Sequence, residues 1–292
     1  MNVQKLRTNT LTSDRRVRAL KVSILYGIII SLGTTPLSST LDKEKTWTLE
    51  KVLHRHAQAH GDATLRQNLK SIRIRGQLKT PQGDYDWILI KKRPNRARLT
   101  LLSTEGLQKV RAYDGQHVWE MTEHSNIRKP QIHVLPPAKA HRFVRDTRFF
   151  GYLLDQEGSD IHLEFVGRTQ IYPHESIDEV PTSPIPKHDK HLKAPVECLH
   201  LRAVVSDSIR MEFFLNIETL METKIISQEW DGQDWQTYVH YLSDYREFGP
   251  IQEAFRVDTY KDNRFHSALR LTDVGFNIGI YSHYFSRPPL NT

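Results

Sequence analysis

Cysteine is nearly absent. Cys198 is the single one among 292 residues, which excludes an intrachain disulfide framework and any multi-cysteine zinc or iron–sulfur site. Long apolar runs are scarce as well. Only the stretch from Val22 to Leu41 is free of charge over a length that reaches a membrane, so a polytopic membrane protein is excluded. No G-x-S-x-G nucleophile elbow, P-loop, dinucleotide-binding glycine fingerprint or H-E-x-x-H is present. What remains is ordinary: 38% hydrophobic, 26% charged, 14 Gly and 14 Pro. That composition excludes collagen, coiled coil and wholesale disorder, and the length allows one or two domains with a sizeable core.

The uncharged stretch follows Arg15, Arg16, Arg18 and Lys21 and opens with VSILYGIIISLG. Basic, then apolar, then small-polar (TTPLSST) is the order of a secretory signal. Cleavage is expected after Gly33 or near Ser38 and Ser39. The alternative is an uncleaved membrane anchor. Residues 1–41 are therefore read as a signal peptide or anchor with a disordered lead. No cysteine follows the apolar run to carry a lipid. Of the net charge of +7, this segment holds six Lys/Arg and one acid, leaving 35 basic and 33 acidic residues and a net of +2. Nucleic-acid binding needs a concentrated basic surface; charges of both signs are interspersed here, and no nucleic-acid partner is expected.

TWTLEKVLHRHAQAHGD reads as an amphipathic helix with Thr48 as N-cap, a stripe of Leu49, Val52, Leu53 and Ala57, and Gly61 as its stop. A short turn, ATLRQNLKSI, follows. From Ile72 the period changes to two. SIRIRGQL, YDWILIKKR, ARLTLLS and LQKVRAY are short strands with tight turns, and Asp114-Gly115 signals a hairpin returning over Gln116 to Met121. Residues 138–154 read as a helix bearing the aromatic pair Phe149 and Phe150. IHLEFVG is a strand. Residues 172–195, with five prolines, read as a mobile loop. Six further strands run from CLHLRAVV to RFHSALRLTDV. The expected fold is α+β, mainly β: one large, strongly curved antiparallel sheet of about 11–12 strands with two or three helices on one face. Residues 42–292 are expected to form a single domain.

Candidate chemistry is thin. His56 and His60 lie four apart on one helix face, a spacing that can hold a metal; His54 is off that face and no carboxylate sits at a matching position. They read as a surface pair, because a stable zinc site needs three or four ligands. His188 and His191 fall in the polar loop. Cys198 alternates with Val196 in a strand and reads as a buried inert thiol. Asp231, Gly232 and Asp234 read as a turn, without the ligand count of an EF-hand. No catalytic constellation emerges, so a non-enzymatic protein with no cofactor and no metal is expected.

Several short patterns occur in order: HAQAHGDATLRQNLKSIRIRG, KKRPNRARLTL, VRAYDGQHVWEM, YLSDYREFGPIQEAFRVDTY and LRLTDVGFNIGIYSHYFSRP. Together, from about Thr48 to Pro288, they resemble the LolA/LolB-like superfamily, particularly its outer-membrane lipoprotein-sorting group. Gly61, Gly76, Pro94, Asp114, Gly115, Trp119, Asp244, Tyr245, Gly249, Asn277, Phe285 and Pro288 match positions of that pattern, most of them architectural. Departures are Pro250 directly after Gly249, Ser282 where an acid is common, and the loop 172–195.

The resemblance implies a half-barrel with a helical lid. Its cavity takes up lipid or lipoprotein acyl chains across the aqueous periplasm, with inner- and outer-membrane proteins as possible partners. An alternative within the same fold is a periplasmic sensor that binds a membrane partner. A third reading is a secreted hydrolase, metal-dependent through His56 and His60. For the carrier, the inward strand face is expected to line the cavity with Ile72, Ile74, Leu89, Leu99, Leu101, Phe213 and Leu215, and the helical lid with Phe149 and Phe150. Alternation defines two faces without saying which is concave.

Overall fold

In the computed structural model the period-two runs become strands of one antiparallel sheet. The structure describes residues 46–126, 129–154, 161–172 and 194–289. The signal or anchor expected over residues 1–41 lies outside the described residues, as do residues 173–193 of the proline-rich loop. The first half contributes β1 (Ser71–Thr80), β2 (Gly83–Lys92), β3 (Arg96–Ser103), β4 (Leu107–Tyr113), β5 (Val118–His124) and β6 (Gln131–Val134). The second contributes β7 (His162–Ile171), β8 (Val196–Ser206), β9 (Ile209–Asn216), β10 (Glu222–Trp230), β11 (Trp235–Phe248), β12 (Ile251–Lys261) and β13 (Arg264–Phe276).

The spatial order is β6-β5-β4-β3-β2-β1-β13-β12-β11-β10-β9-β8-β7. Two meanders are thus joined where β1 pairs with β13, with Ile74 opposite Val274. Among the described residues the sheet has thirteen strands and stays open. The strand beyond the expected count is β6, four residues long and at one edge, where a short strand limits unwanted pairing.

Curvature follows from what the far strands share. Val118 on β5 and Val205 on β8 are ten positions apart in the strand order, about 48 Å across a flat sheet. Both line one cavity of about 670 Å³, so the sheet curls. Register shifts lie between Arg75 and Gly76 and between Phe165 and Gly167; such bulges add local twist and bend. Gly76 leaves room for this: a Cβ there would stand 2.5 Å from the Arg270 carbonyl oxygen.

Helices cover one face. In α1 (Leu49–Ala59) the Thr48 hydroxyl accepts the Lys51 N–H at 3.2 Å. Val52 is fully buried against Leu199, Leu201, Phe213 and Leu215. The helix ends at Gly61, whose φ is +104° and whose absent Cβ would sit 2.2 Å from the Pro250 oxygen, so both backbone angle and space demand glycine. After α2 (Ala63–Gln67), capped by Asp62, the sheet begins. Between β6 and β7 comes α3 (Pro137–Asp146), which sets Phe143 against Ala97, Val118 and Leu135.

The helix expected over 138–154 is shorter than its sequence suggested. It ends at Asp146, where the Thr147 hydroxyl donates to the Phe143 carbonyl at 2.7 Å and Gly151 turns the chain with φ +82°. Phe149 and Phe150 therefore sit in an irregular segment and not on a helix. Local side-chain bonding to the i−4 carbonyl and a left-handed glycine outweigh the helical periodicity here.

The opposite face has its own small core of Val110, Ala112, Trp119 and Met121. A 3-10 turn, Ser282–Phe285, is anchored there: Trp119 Nε1–H donates to the Phe285 oxygen at 2.7 Å. At the β4–β5 turn Asp114 Oδ1 accepts from the N–H groups of Gln116 and His117, both at 2.8 Å. The central pair is Gly115-Gln116, and β5 starts at Val118, two residues later than the sequence suggests.

Candidate functional site

Among the described residues, two cavities lie on the covered face. The larger, of about 670 Å³, lies between β3, β4, β5 and α3; its apolar wall includes Ala97, Val118, Leu135, Val144 and Phe149, and its polar wall Arg96, Arg145 and Arg148. The smaller, of about 370 Å³, lies between the centre of the sheet and residues 149–154. Lys91 lines both, and its ammonium donates to the Arg148 carbonyl at 2.6 Å. That bond fastens the irregular segment to β2.

Five of the nine residues expected in the lining border the smaller cavity: Ile72, Ile74, Phe149, Phe150 and Phe213. Phe149 borders both. The other four line neither cavity. Leu215 is fully buried beneath α1 with Val52, and Leu89 is buried within the sheet. Leu99 packs beside Phe143, and Leu101 is half-buried. The pairings Ile74–Leu89, Leu89–Leu99 and Leu201–Phe213 put the strand members on common faces. Sharing a face does not make a residue a cavity wall; where α1 seats directly on the sheet, the same face becomes solid core.

The smaller cavity also has a polar wall that sequence reasoning missed. His60, Glu222 and Tyr245 border it, with Glu253 and Arg145 nearby on its rim. His56 and His60, read as a surface pair without a carboxylate, are both buried, and Glu222 of β10 stands between them. His60 Nε2 is 3.0 Å from Glu222 Oε2, and His56 Nε2 is 3.4 Å from Oε1. The helix turns these histidines inward because the face that carries them is continuous with Val52. The carboxylate comes from a strand more than 160 residues away, so no local spacing announces it.

Backbone carbonyls orient both rings. His56 Nδ1 lies 2.8 Å from the Leu220 oxygen and His60 Nδ1 3.0 Å from the Gln252 oxygen. A carbonyl only accepts, so each Nδ1 carries the proton and each Nε2 faces the carboxylate. The Tyr245 hydroxyl is 2.9 Å from the Glu222 carbonyl oxygen and 3.2 Å from Oε2.

The electrostatics are strongly shifted. Burial lowers the His56 pKa more than Glu222 raises it. Burial also pulls His60 down, but the hydrogen bond and charge of Glu222 bring it above its ordinary value. Burial pushes Glu222 up, yet the two histidines draw it down to about 2, so it is a carboxylate. Burial and the Glu222 charge drive the Tyr245 phenol far up, keeping it a neutral donor. Chemically, the arrangement can hold a cation or a shared proton at the polar wall of the smaller cavity. Among the described residues, His56, His60 and Glu222 are a group whose ligand atoms all lie within 4.8 Å of one another.

Other candidates from the sequence resolve simply. Cys198 is fully buried, and burial pushes its thiol up to about 11, which makes it a poor nucleophile. Asp231 Oδ1 accepts the N–H groups of Gln233 and Asp234 at 2.9 and 3.0 Å, the bonding of a turn. His188 and His191 lie outside the described residues.

No family profile matches the chain, and no curated protein matches it. Solved structures do resemble it. A LolA superfamily protein from Nitrosomonas europaea aligns over 83% of this chain and 99% of its own, with a TM-score of 0.50 at 12% identity. A DUF1329 family protein from Desulfovibrio piger aligns over 82% of this chain and 98% of its own, with a TM-score of 0.50 at 7% identity. The fold is LolA-like, as the ordered sequence patterns implied.

Proposed function

We propose that this protein is a non-catalytic carrier or binder of lipid or lipoprotein acyl chains, working in the periplasm. The observation that carries the reading is the apolar wall of the covered face: Ile72, Ile74, Phe149, Phe150 and Phe213 around one cavity, continuous in composition with Ala97, Val118 and Val144 of the other. Each methylene moved out of water into such a wall gains about 0.8 kcal/mol. A chain of a dozen or more carbons therefore needs shelter and no chemistry to cross an aqueous compartment. Cavities of this size are in the usual range for small ligands. The likeness to a LolA superfamily structure supports the same reading, as does the basic–apolar–small-polar order of the N-terminal sequence. Arg96 and Arg148 in the larger cavity's wall suit an anionic head group.

Native mass spectrometry with lipid extraction tests this on protein recovered from the periplasm. The expected result is a bound lipid or acylated peptide, with a higher Tm than the delipidated protein. Phe150→Glu, which places a carboxylate in the cavity wall, is expected to reduce fluorescent fatty-acid uptake at least about tenfold, because an entering acyl chain would have to strip that charge of water. Protein that carries no lipid and gains no stability from acylated ligands overturns the reading. If such protein instead captures one transmembrane partner, the regulatory reading of the same fold takes its place.

A further inference from the structure

We propose that His56, His60 and Glu222 form a binding site for one divalent transition-metal ion of the zinc type, with the rest of its coordination open to the 370 Å³ cavity. The inference is independent of what the cavity carries.

Three features point to a metal beyond the clustering itself. First, His56 Nε2 is buried and makes no hydrogen bond. With Nδ1–H committed to the Leu220 carbonyl, Nε2 presents a lone pair toward the Glu222 carboxylate, 3.4 Å away. Two acceptors facing each other in a buried place repel, and a cation between them removes the repulsion. Second, both rings donate Nδ1–H to backbone carbonyls, and the Tyr245 hydroxyl reaches Glu222 Oε2. Outer hydrogen bonds of this kind fix the tautomer and orientation of ligating groups. Third, the spacing suits the ion. Ligand atoms about 2.0–2.1 Å from a tetrahedral zinc stand about 3.3 Å from one another. His56 Nε2 is 3.4 Å from Glu222 Oε1 and His60 Nε2 3.0 Å from the other oxygen, Oε2, and one ligand atom from each residue falls within 4.8 Å of the others, so small side-chain rotations close the three on one ion.

The donor set selects the metal. Two imidazoles and one carboxylate suit zinc and its late first-row neighbours. Calcium takes six to eight oxygen ligands and magnesium demands octahedral oxygen, and neither finds them here. Two neutral imidazoles and one carboxylate leave one positive charge on the ion. His60, Glu222 and Tyr245 border the cavity, so the open position is reached from there, by water or by an anionic oxygen of the occupant.

The competing account is a metal-free clamp, in which a protonated His60 and Glu222 pin α1 to β10. The full chain, stripped with EDTA and dialysed against Zn2+ or Co2+, separates the two. Metal analysis is expected to give one equivalent per chain. Co2+ is expected to give the intense visible absorption of a four-coordinate ion, and Zn2+ to raise Tm. Glu222→Gln and His60→Gln are expected to lose the stoichiometric uptake and the Co2+ spectrum while keeping the far-UV circular dichroism. Exposed His54→Gln is expected to keep both. Tyr245→Phe, a change at a positioning residue, is expected to weaken Zn2+ binding about 10–100-fold. Wild-type protein that is folded yet takes up no stoichiometric Zn2+ or Co2+ overturns the proposal. So does uptake that survives unchanged in both ligand variants. The wild-type measurement decides the matter even if a variant fails to fold.

Discussion

Leu215→Ala separates solid core from cavity wall. Leu215 has no exposed surface and packs against Val52 of α1 and Leu199, Leu201 and Phe213 of the sheet. Truncation removes three carbons, a transfer loss of about 2.4 kcal/mol at about 0.8 per carbon. A residual hole of about 60 Å³ adds roughly 1.4 kcal/mol at about 24 cal/mol per Å³. The expected loss is therefore about 4 kcal/mol, a large share of the stability of any domain. With a urea m-value of about 2–3 kcal/mol/M, the midpoint falls by about 1.5 M. Leu101→Ala is the control. Leu101 is half-buried and belongs to none of the core clusters, so its truncation is expected to cost about 1 kcal/mol. Because Leu215 borders neither cavity, Leu215→Ala is expected to take up fluorescent fatty acid normally below its own Tm. Equal midpoint shifts in the two variants would refute the assignment of Leu215 to the contact between α1 and the sheet. Lost uptake in a folded Leu215→Ala protein would place the binding wall there instead.

Two further outcomes follow from single positions. Gly61→Ala combines a φ of +104° with a Cβ contact of 2.2 Å to a backbone oxygen, whereas Gly232→Ala has φ +106° and nothing within 4 Å. The first is expected to cost at least about 2 kcal/mol and lower Tm by about 6 °C or more, the second about 1 kcal/mol; equal losses would show that Pro250 yields freely. His240 titrates at about 4, below 6.5, because burial disfavours its charge and His266 and Arg142 add to that against the pull of Asp146. The unfolded chain then binds the proton first. His240's contribution is complete above pH 6.5 and declines as pH falls toward 4, by about 1–3 kcal/mol after discounting for its partial exposure. Urea midpoints measured from pH 7 to pH 4.5 are expected to fall less steeply in His240→Gln than in wild type, and identical slopes would exclude His240 as the source.

The sequence by itself determined which residues alternate. From Ile72 to Val274 the period of two marked nearly every strand, and turn residues such as Asp114-Gly115 and Asp231-Gly232 marked the reversals, because pleat geometry and left-handed backbone are local properties. It also marked α1 with its cap at Thr48 and its stop at Gly61. Local pattern misjudged the end of α3, where a hydroxyl bond and Gly151 ended the helix before Phe149. It missed β6, whose four residues carry too little alternation to read. Tertiary structure alone decided the rest. The curl of the sheet brought β5 and β8 to one cavity, and the seating of α1 turned the β8–β9 part of an apolar face into solid core. The same seating buried His56 and His60 and met them with Glu222 from β10. A side chain's neighbours across a curved sheet depend on twist and bulges summed over many strands, and no spacing within one segment encodes that sum.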